Sequence, residues 1–195
     1  MVTARMKIEG TANLLQDAYP KPGTIKKKYS NETEKEAATL ASKAYVDEIG
    51  VYMPTDCIRM MLIGNQKRPG AAKILGSMIE KGKGTKYVNA CKAGVWVVGI
   101  EKKRPENDRV YFEPRRKTWD DVYETSFINA SGSRSWLTRP MITMAWTLEF
   151  DIVCYADDLD GPKVRTLFEV AGMRCGCGNY GPVFGRFIVV EYEVK

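Results

Sequence analysis

The sequence predicts an α+β fold on three observations. The last fifty residues read as strand, helix, strand; the middle of the chain spaces its apolar residues at helical intervals; and the Val- and Trp-rich run near residue 95 has strand chemistry. In the final unit Trp146, Leu148, Phe150, Ile152 and Cys154 alternate with Thr147, Glu149 and Asp151, the period of a half-buried strand. Asp160 is placed to cap a helix with Pro162 in its first turn. Val164, Leu167, Phe168 and Ala171 recur at helical spacing, and Gly172 is placed as the left-handed cap that ends the helix. In a last strand, Phe187, Val189, Glu191 and Glu193 alternate with Ile188, Val190, Tyr192 and Val194. Strand, helix, strand implies a crossover, most simply between two parallel strands of one sheet.

Residues Met6 to Leu15 read as the first strand. The next stretch, with Pro20, Pro22, Gly23 and the run Lys26 to Lys28, reads as an exposed loop whose lysines are a solvated turn. A helix is expected from Asn31 to Gly50, capped by Asn31 or Thr33, with Glu34 and Glu36 near its first turn and a stripe of Ala37, Leu40, Ala41, Ala44 and Tyr45. Pro54 with Thr55 or Asp56 opens a second helix that turns Ile58, Met61 and Leu62 inward. Ala71 to Glu80 gives a third, with Ile74, Leu75, Met78 and Ile79 at helical spacing and the methionines as core filler. Lys81 to Lys86, KGKGTK, lacks the GxxxxGK[ST] spacing of a phosphate loop and reads as a mobile basic loop. Tyr87 to Ile100 reads as a strand, Lys102 to Asp108 as a polar turn and Arg109 to Phe112 as the returning strand of a hairpin. Asp120 to Pro140 is polar, with a short strand at Phe127 and Ile128.

The 195 residues fit one domain, or one domain with a sizeable insertion, and no run of eighteen apolar residues is present to span a membrane. The first ten residues lack the apolar centre of a signal peptide, and five cysteines point to a reducing cytoplasm. Histidine is absent, which removes Ser–His and Cys–His triads, His-ligated zinc and histidine general bases. The net charge of +6 is unevenly spread. Arg59 to Lys117 holds fifteen Lys/Arg against five Asp/Glu, whereas the rest of the chain is net acidic. Such a block is the electrostatic footprint of a polyanion partner. Lys102, Lys103, Arg104, Arg109, Arg115, Arg116 and Lys117 cluster about the expected hairpin, with Tyr111, Phe112 and Trp119 near enough in sequence to stack on bases.

Between the last helix and the last strand the chain spends about a dozen residues where a few suffice. Gly172, Gly176, Gly178, Gly181 and Gly185 fall in this link, with Arg174 and Arg186 at its ends and Asn179, Tyr180 and Pro182 inside. Either the glycines let a phosphate backbone approach, or they satisfy the geometry of a long irregular turn. The sequence Gly185-Arg186-Phe187 running into a hydrophobic strand, preceded by Gly176, Gly178 and Gly181, resembles the RAMP superfamily, the RNA-binding subunits of CRISPR effector complexes; small phage proteins share this kind of ending.

The resemblance covers the last quarter of the chain and the first strand. It implies a ferredoxin-like (RRM-like) antiparallel sheet with helices on one face, the first strand central. Residues 16–140 would carry the insertions, helices at about 31–80 and a basic hairpin at about 87–117, and residues 146–195 the strand–helix–glycine-loop–strand unit. It also implies a binding subunit that coats single-stranded RNA or DNA and self-associates, with CRISPR or host-defence proteins as further partners. The processing nucleases of that class often use histidine, which this chain lacks. Expected nucleic-acid contacts are the seven basic residues above together with Arg174, Gly176, Gly178, Tyr180 and Arg186; no cofactor, metal or catalytic residue is expected. Two other readings stand beside it: a metal-dependent nuclease using Asp157, Asp158 and Asp160, and a phage protein that mimics a CRISPR subunit to bind host-defence proteins. Against the first, the three aspartates suit a helix N-terminus. The Cys175–Cys177 pair has no further ligands to complete a zinc site.

Overall fold

A computed structural model describes residues 1–19, 31–79, 81–101, 106–128 and 130–195. The central strand is β1 (Val2–Gly10), antiparallel to β8 (Thr147–Cys154) on one side and to β9 (Phe187–Val194) on the other. Since both flank β1 antiparallel, β8 and β9 run in the same direction, and α5 (Gly161–Arg174) carries the chain across between them. On the far side of β8 lies β4 (Val95–Gly99). The order β9–β1–β8–β4, with helices between β1 and β4 and between β8 and β9, is a ferredoxin-like core.

Helices α2 (Thr55–Ile63), α3 (Ala71–Ile79), α4 (Gly84–Gly94) and α5 share one core with the inward face of the sheet. The expected face of β8 is fully buried, and Phe150 packs on Phe168 of α5 at 5.7 Å. Side chains of this size each stabilise the fold by roughly 1.5–3 kcal/mol on full burial. Trp146 is buried against Gly10, where a Cβ would stand 2.1 Å from the indole, and its Nε1 donates to the Ala12 carbonyl at 3.0 Å.

The opposite face of the sheet carries ion pairs. Arg5 meets Asp151 at 2.5 Å and Glu149 at 2.9 Å, Lys7 meets Glu191 at 3.0 Å, and Lys195 meets Asp151 at 2.8 Å. An RRM-type sheet stacks bases on aromatic rings of this face; here the cations are matched by carboxylates. A bulge opposite Lys7 and Ile8 leaves Val190 without a partner, which reverses the alternation of β9 beyond it and turns Tyr192 back toward α5.

Several local expectations are corrected. The first strand starts at Val2 and stops at Gly10; Leu14–Leu15 form β2, which belongs to a second sheet with β7 (Arg134–Ile142) and β6 (Asp121–Ile128). Helix α1 is Glu32–Ser42, well short of Gly50, because the Lys43 N–H closes the last turn onto the Leu40 and Ala41 carbonyls. Residues 84–94 are helix rather than loop and strand: Gly84, Tyr87, Cys91 and Gly94 are buried at helical spacing, and Gly84 lies against the Lys73 carbonyl of α3. Among the described residues no strand ladder joins β4 to β5 (Arg109–Glu113). Both pair antiparallel to β8, β4 along its far half and β5 at Leu148 and Thr147, so they are two pieces of one interrupted strand; β5 also pairs with the short β3 (Tyr52–Pro54). The hairpin of the insertion is instead β6–β7, eight paired residues long, turning at Gly132 with φ +80°. Gly172 lies within α5, close against the Phe187 carbonyl, and the left-handed residue beyond the helix is Gly176 at φ +72°. The polar loop expected around Pro20 to Lys28 lies outside the described residues.

Candidate nucleic-acid interface

The glycine loop after α5 folds back onto the start of the chain. Gly185 N–H donates to the Asn13 carbonyl at 2.7 Å, Asn179 N–H to the Leu15 carbonyl at 2.9 Å, and Cys177 N–H to the Gly185 carbonyl at 2.8 Å. A Cβ on Gly185, whose φ is +70°, would stand 1.8 Å from the Cys177 carbonyl oxygen, and one on Gly178 would stand 2.6 Å from that of Leu15. The chain's own backbone therefore demands these glycines. Tyr180 is likewise engaged: the Arg139 guanidinium lies over its ring at 4.5 Å, and Tyr123 meets its edge at 6.3 Å. Arg139 and the Asn179 amide both donate to Asp17, binding the loop to the second sheet.

Between this loop and the α2–α3 turn runs a trough. One section, about 380 Å³, is lined by Met60, Asn65 and Arg68 on the helical wall and by Arg174, Gly176 and Gly181 on the loop wall. A second section, about 440 Å³, shares Cys57, Met60, Asn65, Arg68 and Gly178 with it and ends at Tyr45 and Asp56. Arg68 spans the walls, its Nη1 donating to the Gly181 carbonyl at 3.0 Å. Neither Arg68 nor Arg174 is in an ion pair among the described residues. Arg186, at the far end of the loop, is exposed and does not line the trough.

The other expected contacts lie elsewhere. Arg109, Arg115, Arg116 and Lys117 gather around the Asp47–Gly50 turn. Arg109 meets Asp47 at 2.5 Å, Arg115 meets Glu113 at 2.9 Å and Glu101 at 3.3 Å, and Arg116 meets Asp120 at 3.0 Å. Lys117 donates to the Glu48 and Ile49 carbonyls. Burial of Asp47 opposes its charge, but hydrogen bonds from Tyr111, Arg109 and the Gly50 and Ile49 amides outweigh it and hold the carboxyl at about 2. Tyr111 and Phe112 are buried and Trp119 packs on the core, so none offers the open stacking face expected. Lys102, Lys103 and Arg104 lie outside the described residues.

The acidic and thiol clusters are taken up one by one. Asp160 caps α5, accepting from the Lys163 N–H at 2.9 Å, and Asp158 pairs with Lys86 at 2.6 Å. Burial pushes the Cys175 thiol to about 11 and that of Cys177 to about 12, which keeps both protonated at neutral pH. No three Cys, Asp or Glu side chains form a metal-binding group among the described residues.

Arg68 and Asn65 were not singled out by sequence reasoning. Their signal was the break between two helices at Gly64 to Gly70, where a cation must lie at the surface.

Neither a known protein family nor a curated protein matches the sequence. Among solved structures the chain is similar to one in the cryo-EM structure of the type III-B Cmr-beta bound to cognate target RNA. The TM-score is 0.52 at 15% identity, covering 99% of this chain and 60% of that one. The likeness is one of fold.

Proposed function

We propose that this protein binds single-stranded nucleic acid along the trough between the glycine loop and the α2–α3 turn, as a non-enzymatic subunit that repeats along an RNA strand. The observation that carries this reading is the pair Arg68 and Arg174, set on opposite walls and free of carboxylate partners among the described residues. Guanidinium groups in that state are matched to phosphate oxygens, and their neutralisation of a strand releases counterions. Tyr45, half-buried at the trough's end, supplies a ring for a base. The RNA-bound structural neighbour supports RNA as the strand and a multi-subunit assembly as its setting.

The test is the salt dependence of binding to a fluorescent mixed-sequence oligonucleotide, as RNA and as DNA. Arg68→Ala with Arg174→Ala is expected to weaken binding about tenfold at physiological salt and to lower the slope of log K against log salt by roughly 1–2. Unchanged affinity and slope in a folded double variant would remove the trough from the interface.

A further inference from the structure

Helices α2, α3 and α4 enclose a second groove, of about 1090 Å³, that meets the trough at Met60, Gly64, Asn65, Pro69 and Ile74. Its floor is aliphatic: Met60, Ile63, Ile74, Met78 and Val88. Met60 is 47% exposed, and Met78 is 63% exposed, far from the core filler that its helical spacing predicts. Open apolar side chains gathered in a concavity mark a contact surface. The rim carries Arg59, Lys67, Lys73 and Lys92, and among the described residues no carboxylate lines it. Arg59 is held in place, its guanidinium over Trp96 at 4.4 Å and bonded to the Val95 and Lys92 carbonyls. The three lysines are exposed, and none is in an ion pair among the described residues.

We propose that this groove docks an acidic amphipathic helix of a partner protein. Its apolar stripe would lie on Met60, Ile74 and Met78, and its flanking carboxylates would meet Lys67, Lys73 and Lys92. The floor decides between a helix and a nucleic acid. No aromatic ring among the described residues lines the groove, so bases find no stacking face there. Methionine and branched aliphatic surface instead takes Leu and Ile side chains at i, i+3, i+4 and i+7, and methionine adapts its shape to them. A rim of one sign selects an acidic helix and speeds its encounter. The inference rests on this groove alone and is independent of the ligand in the trough.

The probe is a fluorescein-labelled helical peptide of about 18 residues, five turns long, with leucines on one stripe and glutamates beside it. Two control peptides accompany it: the same residues in scrambled order, and a lysine-flanked version. Fluorescence anisotropy with the whole chain should show saturable binding of the first peptide alone. Met78→Asp, and Lys73→Glu combined with Lys92→Glu, should each weaken it by about tenfold. Met78 is exposed and does not line the trough, so melting curves and oligonucleotide binding of Met78→Asp should stay as in the parent. Absence of saturable binding overturns the proposal, as does equal binding of the scrambled peptide, which leaves charge alone. Loss of oligonucleotide affinity in Met78→Asp assigns the groove to nucleic acid and overturns it as well.

Discussion

Around the Asp47–Gly50 turn, Arg109, Arg115 and Arg116 each meet a carboxylate, whereas Arg68 and Arg174 in the trough and Lys67, Lys73 and Lys92 on the groove meet none among the described residues. The first set is the denser in sequence, and it is the one that the chain's own acids neutralise. A cation held about 3 Å from a carboxylate has little field left beyond a Debye length, while an unpaired one keeps its full charge for a ligand. Density of Lys and Arg along a chain therefore measures the supply of charge. What a surface presents depends on which acids fold beside it.

The strongest test separates the loop's architecture from its contacts. Gly185→Ala should destabilise the protein by more than about 3 kcal/mol in urea unfolding, because a left-handed residue would carry a Cβ into the Cys177 carbonyl. A stable Gly185→Ala protein would show that the loop is loose, and the trough's second wall would lose its basis. Next comes Asp47→Ala, expected to cost about 2–3 kcal/mol with oligonucleotide affinity intact, since it strands Arg109 and the Tyr111 hydroxyl. The sign of its pH dependence follows from a folded-state value of about 2 against an ordinary 3.8. The contribution is present above pH 3.8 and is lost as the pH falls through about 2, so the parent and Asp47→Asn should converge in stability in acid. An acid-independent gap between them would sink that account. The smallest effect belongs to Arg115→Ala with Arg116→Ala: about 0–1 kcal/mol per ion pair and an affinity change under about twofold. A tenfold loss there would return the interface to the Arg109–Lys117 cluster.

Much of the C-terminal unit is legible in the sequence because its signals are local. The alternation of β8, the Asp160 cap and Pro162 each act within a few residues. The β6–β7 hairpin is not, since most of β6 is open to solvent and a strand wetted on both faces has no reason to alternate. Helix α4 is hidden for a different reason: its buried positions are a tyrosine, a cysteine and two glycines, which give no apolar stripe. The glycine loop could be located from its spacing, but whether its glycines served a ligand or the chain depended on Asn13 and Leu15, more than 160 residues away. The trough was half legible. Arg174 ends α5 at the start of the loop that the spacing exposed, whereas Arg68 reaches that loop only through the packing of the α2–α3 turn.

The central position of β1 also bears on how the chain is made. Both partners of β1 come late: Arg5 finds Asp151 146 residues on, and Lys7 finds Glu191 184 residues on. A ribosome adding about 5–20 residues per second reaches the first of these on the order of ten seconds after β1 is translated. Through that interval Ala4, Met6 and Ile8 have no sheet to enter, and the nascent chain holds an unpaired apolar strand that closes only when its last strand arrives.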